Sequence, residues 1–108
     1  VDILAGPMQP ITAHGIGAVE VQVGDTVMGS RSALTQYTRP FNLNGFPAMS
    51  IPCGLSKDGL PTGLQLAGKP FDEATVLRVA YAYEQHARWI DIRPEMNRRA
   101  GKQNVVSQ

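Results

Sequence analysis

The sequence predicts an α/β chain: three or four short strands and one main C-terminal helix over about residues 72–88. Three observations carry this. Brief apolar runs are punctuated by glycine and proline; one longer segment repeats its apolar residues at the helical period; and eleven glycines with eight prolines make up about 18% of the chain, against roughly 12% in an average protein. A chain of 108 residues supports one core, not two.

The run Val1-Asp2-Ile3-Leu4-Ala5 reads as a short buried strand ended by Gly6-Pro7, and residues 6 to about 18 read as loop because Pro10, Gly15 and Gly17 interrupt any regular element. In residues 18–23 the valines alternate with polar residues, the pattern of a half-buried strand, and Gly24-Asp25 closes it. Ser30 to Tyr37 predicts a turn or two of helix, stopped by Pro40. Residues 46–52 predict a strand of four or five residues bracketed by prolines. The Lys57-Asp58-Gly59 turn then leads to a second strand over 63–68, so that the two form an antiparallel pair.

For the helix, Asp72 is the expected N-cap and Glu73 places negative charge in the first turn. Phe71 and Val76 occupy the positions of a hydrophobic staple. Val76, Leu77, Ala80, Tyr83 and Ala87 form the expected buried stripe, with Leu77 at its centre, while Thr75, Arg78, Ala82 and Gln85 fall opposite. Residues 1–87 carry five basic and seven acidic groups (−2) and residues 88–108 five basic and two acidic (+3), so residues 91–108 read as a polar basic tail after a domain over 1–90.

Function classes narrow by what is missing. Ten basic residues against nine acidic give a net charge of +1, which offers nucleic acid no footprint. No apolar run reaches the roughly 20 residues of a membrane span and no signal peptide opens the chain, so no membrane partner and a cytoplasmic location are expected. A lone Cys53 and two histidines, His14 and His86, build neither a disulfide framework nor a zinc site, and no metal or cofactor is expected. Cys53 reads as a small hydrophobe at a strand end, and His14, in a loop, and His86, on the late turns of the helix, read as surface side chains rather than catalytic ones. Arg98 and Arg99 read as part of a solvated tail. There is no Gly-x-Ser-x-Gly elbow, Ser-x-x-Lys pair or phosphate-binding glycine loop, hence no catalytic residue is assigned.

One pattern is specific. Thr38-Arg39-Pro40-Phe41-Asn42-Leu43-Asn44-Gly45-Phe46-Pro47-Ala48-Met49-Ser50-Ile51-Pro52-Cys53-Gly54 is followed by Gly59-Leu60-Pro61-Thr62-Gly63-Leu64-Gln65-Leu66-Ala67-Gly68 and by Phe71-Asp72-Glu73-Ala74-Thr75-Val76-Leu77. It resembles the C-terminal end of the amidase signature family, serine amidases that include the A subunits of aminoacyl-tRNA amidotransferases, over about four-fifths of the chain from Val1 to Trp89. The resemblance implies a fragment of the amidase signature fold, in which this segment completes a central mixed sheet. It also implies amide C–N hydrolysis by a serine nucleophile, a second serine in a cis peptide and a lysine base, all carried upstream of the matched segment. Lys57 and Lys69 match turn and loop positions and are not that lysine. The resemblance sets the loop from Thr38 to Asn42 near the acyl pocket, which makes Thr38, Phe41 and Asn42 the substrate-pocket candidates for a small-molecule amide. Amidotransferase A subunits are expected to carry an aspartate about seven residues before the matched asparagine; Thr35 stands there, which favours plain amidase activity.

Two readings stay open: the C-terminal, pocket-completing part of an amide hydrolase, inactive alone, and a non-catalytic binding or regulatory module retaining the fold. The chain begins at Val1 inside an apolar run, which reads as a cut end. Strands over 1–5 and 63–68 would then lose neighbours, and self-association through open edges is expected.

Overall fold

The computed structural model describes residues 1–94, in the order β1 (Ile3–Pro7), β2 (Glu20–Val23), β3 (Thr26–Gly29), α1 (Ser30–Thr35), α2 (Arg39–Asn44), β4 (Ala48–Leu55), β5 (Pro61–Gly68) and α3 (Glu73–Ala87), with a 3-10 turn at Trp89–Asp91. The α/β class holds. Among the described residues the strands number five and every pairing is antiparallel: a three-stranded sheet β1-β5-β4 and a two-stranded hairpin β2-β3. From residue 95 onward the expected tail, with Arg98 and Arg99, lies outside the described residues.

The central strand is β5. Leu66 and Leu64 face α3, opposite Met49 and Ile51 of β4, and the buried cluster Ile51, Leu66, Val76 and Ala80 is completed by Ile3 and Tyr83. Gly68 lets α3 close on the end of β5: a Cβ there would stand 2.6 Å from Val76 Cγ2. Strand β4 is longer than its prolines suggest, running through Pro52 to Leu55. Pro52 lies on an edge strand, where its missing N–H costs no ladder bond, and the register shifts between Pro52 and Gly54 as a bulge. Trp89 packs across that bulge, its ring 3.7 Å from where a Gly54 Cβ would be.

Several expectations are corrected. Strand β1 is half-exposed rather than buried, since it forms a sheet edge and Leu4 points away from α3. Strand 63–68 keeps a neighbour on both sides, so the open edges belong to β1 and β4. Gly24-Asp25 ends β2 but also turns the chain straight back into β3, with Gly24 at φ 58° and Val23 opposite Thr26, the geometry of a two-residue hairpin. Pro40 does not simply stop a helix. It sits in the first turn of α2, where no N–H is required, and Gly45 ends α2 at φ 73°.

The helical phase is also shifted. Val76 and Ala80 are buried and Tyr83 and Ala87 half-buried, but Leu77 is 57% exposed and Thr75 turns partly inward. No staple forms, because Phe71 takes φ 62° and is 95% exposed. Asp72 begins the helix, yet its Oδ1 accepts a hydrogen bond from the Thr75 hydroxyl at 2.8 Å instead of capping a backbone N–H. Beside it, Lys69 donates to Asp2 at 2.9 Å across the ends of β5 and β1, and this hydrogen bond holds the Asp2 carboxyl below its usual range and raises Lys69. No helix among the described residues is long and apolar enough to cross a membrane.

Candidate functional site

Thr38, Phe41 and Asn42 come together. With Met8, Ala48, Met49, Ser50 and Gln65 they line a cavity of about 140 Å3, on the side where the α1–α2 corner meets the three-stranded sheet. Residues 36–38 break α1 from α2. Thr38 is the N-cap position, Phe41 lies one turn into α2, and Asn42 follows it, so one short helix brings all three to one wall.

The corner is held by hydroxyls. Thr35 Oγ1 donates to the Arg31 carbonyl at 2.8 Å and accepts from Arg39 Nη2 at 2.7 Å, while the Thr38 hydroxyl donates to the Thr35 carbonyl at 3.4 Å. Thr35 is thus a structural hub of the corner, and Arg39 is occupied on the exposed side. The Asn44 carboxamide oxygen accepts from Phe46 N at 2.9 Å, fixing the exit from α2. Asn42 makes no side-chain hydrogen bond among the described residues, so its amide is available to a ligand.

Among the described residues no charged side chain lines this cavity. Its polar groups are the Thr38 and Ser50 hydroxyls and the Asn42 and Gln65 carboxamides, with Phe41 and Met49 supplying apolar wall. Such a set donates and accepts hydrogen bonds without favouring a formal charge, and so matches a neutral amide better than a carboxylate or an ammonium. Sequence reasoning missed Met8, Met49, Ser50 and Gln65. The available signal was Gln65, a carboxamide inside the otherwise apolar run Leu64-Gln65-Leu66-Ala67; β-pairing was needed to bring the others there.

Other candidate groups lie outside this cavity. Cys53 is half-buried, its Sγ 3.5 Å from the Thr62 hydroxyl, and it lines an adjoining open cleft of about 770 Å3 between residues 7–13 and strands β4 and β5, which shares Met8 and Ser50 with the smaller cavity. The His14 Nδ1 bonds the neighbouring Gly15 carbonyl at 2.8 Å, and His86 occupies the last turn of α3. Among the described residues no three His, Cys, Asp or Glu side chains are grouped to hold a metal ion.

Against known proteins, residues 1–77 match the family model described as Amidase. The A subunit of a glutamyl-tRNA(Gln) amidotransferase from Brevibacillus brevis is 48% identical over 94 residues, covering 87% of this chain and 18% of that protein. A solved amidase superposes on 81% of the chain with a TM-score of 0.76 at 33% identity, and 6-aminohexanoate cyclic dimer hydrolase on 87% with a TM-score of 0.76 at 30% identity. The chain spans about a fifth of the length of each.

Proposed function

The chain belongs to the amidase family, and from that premise we propose that it is the pocket-completing C-terminal part of a serine amidase that hydrolyses amide C–N bonds. Nucleophile, cis-peptide serine and lysine base are supplied by sequence preceding the matched segment. The observation that carries this reading is the uncharged cavity into which Thr38, Phe41 and Asn42 converge. In this role Phe41 packs on the acyl chain, Thr38 and Asn42 hydrogen-bond the amide, and the wall shields the reacting carbonyl from water. The chain contributes binding and orientation, not bond-breaking groups.

The substrate is a small neutral carboxamide. A free amino acid such as glutamine carries an α-ammonium that needs an acidic partner, and at that place Thr35 spends its hydroxyl on the helix backbone and on Arg39. One observation favours a second reading, glutamine-dependent amidotransfer: relatives at 45–53% identity include glutamyl-tRNA(Gln) amidotransferase A subunits.

Exchanging this chain for the matching segment of such a relative tests both. The chain alone is expected to hydrolyse no aryl amide, and the chimera to hydrolyse simple aliphatic amides but not glutamine. Glutaminase activity in the chimera would select amidotransfer. Hydrolysis by the chain alone that vanishes with Cys53→Ala would replace both readings with a cysteine hydrolase.

A further inference from the structure

We propose that Gln65 is the positioning residue that fixes the Thr38–Asn42 wall to the sheet, a role that rests on the pocket reading above but is measurable without any substrate. Residues 9–46, which contain β2, β3, α1 and α2, make a long excursion away from the three-stranded sheet. Its two ends are pinned to β5 by backbone bonds, Met8 N to the Gly63 carbonyl at 3.0 Å and Gly68 N to the Pro47 carbonyl at 2.9 Å. Between those pins, among the described residues, one side-chain hydrogen bond joins the excursion to the sheet: Gln65 Nε2 to the Tyr37 carbonyl at 3.1 Å.

Three features make this a built contact. Gln65 is the buried polar residue among the described residues, 7% exposed, and burying a carboxamide in place of an apolar side chain is unfavourable unless its hydrogen bonds are kept. Its partners across the sheet are Gly6 on β1 and Ser50 on β4, both small, which opens a slot for the longer side chain on the face opposite α3. Its acceptor is a backbone carbonyl, which fixes the amide orientation, since only the NH2 end can donate to it. Tyr37 immediately precedes Thr38. Holding its carbonyl therefore sets the height and angle at which α2 enters, and Gln65 itself lines the same cavity.

The test compares the 108-residue chain with Q65L and Q65E by amide hydrogen exchange. Phe41, Asn42 and Gly45 report on α2, because their N–H groups bond to the Thr38 and Phe41 carbonyls; Gly59 and Val76 report on the β4–β5 turn and on α3. Q65L is expected to lower protection at the α2 amides about tenfold, one hydrogen bond's worth, with Gly59 and Val76 unchanged. Q65E is expected to behave like Q65L at neutral pH, where a carboxylate cannot donate, and to regain α2 protection as the carboxyl protonates. Wild-type α2 protection in Q65L, or α2 protection in Q65E that ignores pH, overturns the proposal. If Q65L lowers protection at every site, the pH response of Q65E decides alone. In the chimera described above, Q65L should raise KM for a neutral amide with kcat held. Lost α2 protection with an unchanged KM would keep the clamp and reject the pocket reading instead.

Discussion

Gly68 shows how little room a single position has. Val76 is β-branched, 3% exposed and stiff at χ1, so its Cγ2 cannot swing aside from a methyl placed 2.6 Å away. Gly68→Ala should therefore push α3 off the end of β5 and cost about 1–3 kcal/mol, as overpacking does. Denaturant midpoints read this directly; an unshifted midpoint would mean that the helix is free to slide. Gly59, at φ 77° in an exposed turn with nothing near a Cβ, is limited by backbone conformation alone and not by space. Trp89 presents the complementary case, because its indole lies where the bulge at Gly54 offers no side chain to meet it.

At the scale of the element, α3 separates periodicity from phase. Its stripe at the helical period is real, but the buried line runs Val76, Ala80, Tyr83, Ala87, with Leu77 turned to solvent. Both Leu77 and Thr75 adjoin Val76, and pattern alone cannot decide which of two adjacent flanks faces the sheet. Val76→Ala should cost about 2 kcal/mol from lost burial and the void left behind, whereas Leu77→Ala should cost under about 1 kcal/mol. Equal melting shifts for the two variants, or a larger one for Leu77→Ala, would contradict the observed orientation. The exposed flank is apolar in its own right: Leu77 and Tyr81, one turn apart, are 57% and 65% exposed.

For the whole molecule, the buried apolar set among the described residues is small: Val21, Ala33, Ile51, Leu66, Ala67, Val76 and Ala80. Strands β1 and β4 each leave one edge unpaired, and Leu4 adds exposed apolar surface along the first. Unpaired strand edges recruit further strands. At micromolar concentration the chain should scatter as more than 11.7 kDa, and Leu4→Lys should shift it toward monomer by placing charge on the β1 edge. A monodisperse 11.7 kDa particle that melts cooperatively would favour a self-sufficient module over a part of a larger sheet.

Local chemistry made the α3 span, the antiparallel β4–β5 pair and the first short helix legible in the sequence, since caps, turns and periodicity act between near neighbours. The segments resembling amidases were legible too, and with them Thr38, Phe41 and Asn42 as a group. Only the tertiary structure decided the rest. Pro52 and Pro40 are permitted by an edge strand and a helix's first turn, positions that exist only once neighbours are assigned. The third strand appears because Gly24-Asp25 reverses a strand onto residues with no alternating pattern of their own. Gln65 meets Tyr37, 28 residues away in the chain, because pairing of β5 with Gly6 and Ser50 clears the slot between them. Contacts of that kind depend on which strands become neighbours, a choice made by burial over the whole sheet and not by any residue's own propensity.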